Sequence, residues 1–166
     1  MEIKLTLALP CDALSVPVVR RTLTASLEVL GIEASVISDI EVALTEACTN
    51  VLDHADGGEE YEVSAGIDGT VCVIEVVDRG AAHFDAATRG LGEADPQAEA
   101  GRGIHLMRAL VDKVMFINQP RDGTVVHLEK QLSWDPGAVI ERLDSGPTGH
   151  GPWTDNDNLE DAPAPR

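Results

Sequence analysis

The stretch Leu44–Gly58, LTEACTNVLDHADGG, reads as the end of an amphipathic helix that closes in a glycine turn. Working backward, apolar residues recur at helical spacing through Val36, Ile40, Ala43, Leu44, Ala47 and Val51. The helix is therefore expected to be capped by Ser35 and to run to about Ala55. A polar stripe lies beside the apolar one: Asp39, Glu46, Asn50 and Asp53. Glu46 and Asn50 stand one turn apart, so their side chains can converge on a single point. Such a stripe either faces water, the common fate of polar helix faces, or presents a carboxylate and an amide to a ligand. The helix alone leaves both open.

Outward from it, the chain alternates strands and helices. EIKLTLAL puts Ile3, Leu5 and Leu7 on one face and Lys4 and Thr6 on the other, a half-buried strand. Ser15 and Pro17 suit the first turn of a helix that stops at Gly31. YEVSAGID and TVCVIEVVD, joined by a glycine turn at Asp68–Gly69, read as a hairpin. From Gly80 to Gly101 the chain is rich in Ala, Gly and acidic residues, and so long a connection in a compact domain is either a functional lid or a segment with structure that the pattern does not reveal. GIHLMRALVDKV reads as a third helix, and VMFINQ, PRDG and TVVHLEKQL as a last hairpin. This order predicts an α+β, two-layer sandwich whose mostly antiparallel sheet is covered on one face by helices.

Two domains of unequal kind are expected. Residues 1–132 form the globular body, and residues 133–166 an acidic, disordered tail with a brief helical turn near Val139–Leu143. A core built from Ala, Val, Leu and Ile follows from a 43% hydrophobic fraction with only 3% aromatic residues. The formal net charge of −17 argues against a direct nucleic-acid partner and against adsorption to anionic lipid. Cys11, Cys48 and Cys72 have no paired spacing, so neither a disulfide framework nor a zinc site is implied; Cys48 and Cys72 read as small core residues. No stretch is long and apolar enough to cross a bilayer, and the expectation is a soluble, cytoplasmic protein with no membrane attachment.

Two further stretches carry potential chemistry. VCVIEVVDRG places Asp78 at a strand end with Gly80 two residues on. A carboxylate there can accept a hydrogen bond from an exocyclic amine such as that of adenine, with the glycine admitting a flat ring; an ordinary turn uses the same residues. AGRGIHLMRAL places Gly101 and Gly103 just before a helix, where free N–H groups and the helix dipole attract anions. A flexible hinge would read the same way. The histidines have no metal-ligand spacing, and His54 reads as a structural residue at the helix end.

Taken in order, a Glu/Asn helix, a strand-end Asp-x-Gly, a long loop, Gly-x-Gly at a helix and DGT entering a strand resemble the GHKL (Bergerat-type) ATPase superfamily. LTEACTNVLDHA and GRGIHLMRALVDKV are most similar to the bacterial anti-sigma-factor serine/threonine kinases, over roughly residues 1–131. The resemblance implies ATP and Mg²⁺ as cofactors, with Asn50 holding the metal and Glu46 the catalytic base. It implies that Asp78 and Gly80 bind adenine, that Gly101 and Gly103 line the phosphates at the end of an ATP lid, and that Thr124 lies near the adenine. Arg102, between the lid glycines, is either a phosphate contact or a solvent-facing arginine. The implied partners are a STAS-type anti-anti-sigma protein, which is phosphorylated, and a sigma factor, which is sequestered; a homodimer is implied as well. The chain departs from the family pattern at Ala82, where a second glycine is common, and in an acidic lid carrying Glu93, Asp95 and Glu99. Those departures favour the alternative, a non-catalytic ATP-binding module that only binds a protein partner.

Overall fold

The computed structural model describes residues 3–54, 60–78, 99–119 and 123–139. Eight elements follow in the expected order: β1 Ile3–Pro10, α1 Ser15–Leu30, α2 Ala34–His54, β2 Glu60–Asp68, β3 Val71–Asp78, α3 Glu99–Leu110, β4 Lys113–Gln119 and β5 Gly123–Gln131. The five strands form one sheet in the order β1-β2-β3-β5-β4. Each of its four ladders is antiparallel, so the sheet has no parallel pairing among the described residues.

Period-2 alternation decides which side of the sheet is covered. Along β2, Tyr61, Val63, Ala65 and Ile67 are buried, and along β3, Cys72, Ile74, Val76 and Asp78 are buried. Those faces meet a layer in which α2 packs between α1 and α3 and lies over β3 and β5. The helical stripe read from the sequence is the core face of α2: Val36, Ile40, Ala43, Leu44, Ala47 and Val51 are all buried. Cys48 and Cys72 are free and buried, and burial pushes both thiols up to about 12.

Local chemistry sets the helix ends. Before α1, Asp12 Oδ1 accepts the Leu14 N–H at 2.7 Å and the Asp12 carbonyl accepts the Ser15 hydroxyl at 2.6 Å. The helix stops where Gly31 adopts φ 83°, with its N–H and that of Ile32 turned back onto Glu28 and Leu27 carbonyls. Helix α2 begins one residue before the expected cap: the Glu33 carbonyl accepts the Val36 and Ile37 amides, and Ser35 lies inside the first turn. Helix α3 is shorter than GIHLMRALVDKV suggested. It ends at Leu110, because Asp112 and Lys113 join β5 instead. On the open face of the sheet His127 lies between Glu75 Oε1 at 3.1 Å and Glu129 Oε1 at 2.9 Å.

The packed body continues past residue 132. The Glu33 amide donates to the Ser133 carbonyl at 2.9 Å, Trp134 bridges to Ile32, and the Asp135 amide donates to the Gly31 carbonyl at 2.8 Å. Ala138 is 5% exposed. Residues 133–139 therefore form a strap across the α1–α2 junction rather than the start of a tail. A strand edge and a buried backbone bridge need partners that a composition rich in Pro and Gly does not advertise. Residues 140–166 lie outside the described residues, as do Gly80, Ala82 and the lid through residue 98. No helix among the described residues is long and apolar enough to cross a membrane.

Candidate functional site

Two groups of residues are assembled around α2. The first forms on its flank. Glu46 and Asn50, one turn apart, face the start of α3, where the backbone at Gly103 comes in close: a Cβ placed there would lie 2.6 Å from Glu46 Oε2 and 3.7 Å from Asn50 Oδ1. Gly103 is buried, and Ile104 and Met107 (7% and 0% exposed) hold the helix against the core. Asn50 Nδ2 is buried and has no hydrogen-bond partner among the described residues. A buried amide without a partner is costly, and a ligand oxygen arriving beside it would remove that cost.

The second group forms on the sheet. The β3–β5 register sets Asp78 directly opposite Thr124, and the β2–β3 register sets Tyr61 on the other side of Asp78. All three are buried, at 3%, 4% and 1% exposure, a row of polar side chains on the helix-facing side. The Tyr61 hydroxyl is 2.7 Å from Ser15 Oγ at the start of α1. Burial pushes the Tyr61 phenol up to about 12 against the lowering effect of Ser15, and the Cys48 thiol of α2 lies beside it. Cys11, at the end of β1, has its thiol pushed up by partial burial and by the nearby Asp78 and Glu60 carboxylates. Helix α2 thus joins the two groups: its flank carries Glu46 and Asn50, and its core face touches Tyr61 through Cys48.

Of the residues singled out in the sequence, Glu46, Asn50 and Gly103 come together, and so do Asp78 and Thr124. Arg102 is exposed on α3. Gly80 lies outside the described residues. The two glycines do not precede the helix, as the sequence suggested, but lie within its first turns. Gly101 and Gly103 are the third and fifth residues of α3, which begins at Glu99. Tyr61 received no role from the sequence, and Ser15 only a place in the first turn of α1. The available signal was that Tyr61 is the chain's single tyrosine and alternates into the core of its strand.

Oxygen donors suit a hard dication, and Glu46 and Asn50 supply oxygens on adjacent turns. No group of three or more His, Cys, Asp or Glu side chains among the described residues could cage a metal. Mg²⁺ is commonly held by one or two protein groups together with substrate phosphates.

Comparison with known proteins gives the chain's family. The profile of the histidine kinase-like ATPase domain matches residues 9–130. Serine-protein kinase RsbW of Bacillus velezensis is 31% identical over 84% of this chain and 89% of its own length. Serine-protein kinase RsbW of Bacillus licheniformis is 33% identical, over 80% of this chain and 84% of its own. Anti-sigma F factor of Pasteuria penetrans is 37% identical over 58% of this chain and 69% of its own. Among solved structures, the RsbU and RsbW domains of a Mycobacterium tuberculosis protein superpose with a TM-score of 0.62 at 23% identity, covering 82% of this chain. This chain spans 34% of that longer one, and the likeness shows a shared fold.

Proposed function

This chain belongs to the histidine kinase-like (GHKL) ATPase family, in its anti-sigma-factor serine/threonine kinase branch, and from that premise we propose how its site works. The protein is an ATP-dependent protein kinase and anti-sigma factor. Its substrate is a serine or threonine hydroxyl on a STAS-type anti-anti-sigma partner, and its second partner is a sigma factor that it withholds from RNA polymerase. It acts in the cytoplasm and, like the family, as a homodimer, a state that light scattering reads directly.

The observation that carries the catalytic reading is the convergence of Glu46, Asn50 and the α3 backbone at Gly103. Asn50 would hold Mg²⁺, and the metal, when bound, neutralises charge on the ATP phosphates. Glu46 accepts the proton of the substrate hydroxyl as its oxygen bonds to the γ-phosphorus. The bond from that phosphorus to the β–γ bridging oxygen breaks, and ADP leaves. Phosphoryl transfer asks mainly for alignment, and two groups fixed on adjacent turns of a buried-faced helix supply it. At the other end, the Asp78 carboxylate receives the adenine amine, with Thr124 opposite it in the ladder.

The test is transfer of labelled γ-phosphate to STAS-domain proteins of the same proteome, beside calorimetric ATP binding with and without Mg²⁺. Glu46→Ala is expected to keep ATP binding and lose transfer, and Asn50→Ala to lose the Mg²⁺ dependence of binding. Unchanged transfer by the Glu46 variant would remove Glu46 as the base.

A further inference from the structure

Gly103 sits inside a helix, where glycine is a poor choice, so its presence calls for a reason. Conformation is not the reason, because its φ is not positive; the described glycines with positive φ are Gly31, Gly69 and Gly137. Anion binding by its amide does not call for glycine either, because every residue but proline presents the same backbone N–H. What remains is space. A Cβ here would stand 2.6 Å from Glu46 Oε2 and 3.6 Å from its Cδ, so the carboxylate occupies the volume that any side chain at this position would fill.

We propose that Gly103 is a positioning residue for the base: its bare backbone is the seat against which the Glu46 carboxylate is held for proton transfer. This reading rests on the assignment of Glu46 as the base. The obstructed atom is the far end of a flexible side chain, so an alanine is accommodated by swinging the carboxylate aside rather than by unfolding the helix. Melting is therefore little changed, while the base is displaced.

The experiment measures kcat and ATP Kd for wild type, Gly103→Ala, Glu46→Asp and the double variant, with melting temperatures as a check on folding. Gly103→Ala is expected to lower kcat by on the order of 10–100-fold, the cost of misplacing a catalytic group by about an ångström. Its ATP Kd should stay within about 2-fold of wild type, since no nucleotide contact is removed. In the Glu46→Asp background, where the shorter side chain clears the seat, Gly103→Ala should cost little further kcat. A rise in ATP Kd with kcat kept returns Gly103 to the phosphate cradle, and equal kcat losses in both backgrounds remove the coupling; either overturns the seat. An NMR contact between the Glu46 γ-protons and the Gly103 α-protons in the nucleotide-free protein reads the seat independently of activity. Its absence overturns the seat, whereas its presence in a protein without transfer activity leaves the seat standing and removes the kinase mechanism.

Discussion

The junction of α1 and α2 supplies a sharp quantitative test, Gly31→Ala. Gly31 has φ 83°, and a Cβ there would lie 2.7 Å from Ala138 Cβ and 2.9 Å from Ala138 Cα. Placing alanine in the left-handed region costs about 1 kcal/mol. Carbon atoms prefer separations of about 3.5–4.0 Å, so the strap must also retreat by roughly 1 Å. Overpacking of that kind adds about 2 kcal/mol. The retreat also strains the backbone bonds Asp135 N to Gly31 O (2.8 Å) and Glu33 N to Ser133 O (2.9 Å). The total is about 3 kcal/mol, or a melting temperature roughly 9 °C lower for a domain of this size. Gly137 provides the control: its φ is 81° and a Cβ there meets nothing within 4 Å. Gly137→Ala bears only the conformational cost, about 1 kcal/mol or roughly 3 °C. Thermal melts followed by far-UV circular dichroism compare the two variants directly. Equal shifts would mean that residues 133–139 are not seated on Gly31 in solution, and the reasoning fails.

Three other outcomes follow from particular contacts. Asp78→Asn replaces an acceptor-only carboxylate with an amide in a buried row, and ATP affinity measured by calorimetry is expected to fall by on the order of 10–100-fold with the fold retained. Lys130 Nζ donates to Asp39 Oδ2 at 2.7 Å and to the Leu110 carbonyl at 2.6 Å, fastening the C-terminal end of α3 to α2. Lys130→Met should cost about 1–3 kcal/mol in urea unfolding and raise amide exchange in α3 more than in α1; equal exchange in both helices would refute the clamp. Cys48, Cys72 and Tyr61 have folded values of about 12 against ordinary values of 9, 9 and 10. Raised values favour the protonated groups in the folded state, so their contribution is fully present below pH 9 and is lost as pH rises toward 12. The urea midpoint is expected to fall between pH 8 and pH 10.5, less steeply in Cys72→Ala, and a flat profile would contradict the burial of these groups.

The flank of α2 that carries Glu46 and Asn50 illustrates how far the chain alone reached. Glu46 and Asn50 were legible because helical spacing of Val36 to Val51 fixes which residues share a face, and the described α2 buries that whole stripe. Asp78 was legible as a strand-end carboxylate. Its partner Thr124 came only from the order of motifs, since strands β3 and β5 are far apart in the chain and their register is not a local property. The glycines of α3 were misplaced because Gly-x-Gly is a poor helix signal, and helix formation over Glu99–Leu110 draws on packing of Ile104 and Met107 that propensity does not register.

The same division holds for the molecule as a whole. Periodicity and glycine turns determined the element order, the core face of each helix and the half-buried strands, because each depends on neighbours within a few residues. Tertiary structure decided the rest. It set β5 between β3 and β4, put Tyr61, Asp78 and Thr124 in one buried row, laid residues 133–139 over Gly31, and brought the backbone of Gly103 against Glu46. Those are contacts between segments distant in the chain, formed where apolar faces fill a shared core, and only the packed fold specifies which distant residues then become neighbours.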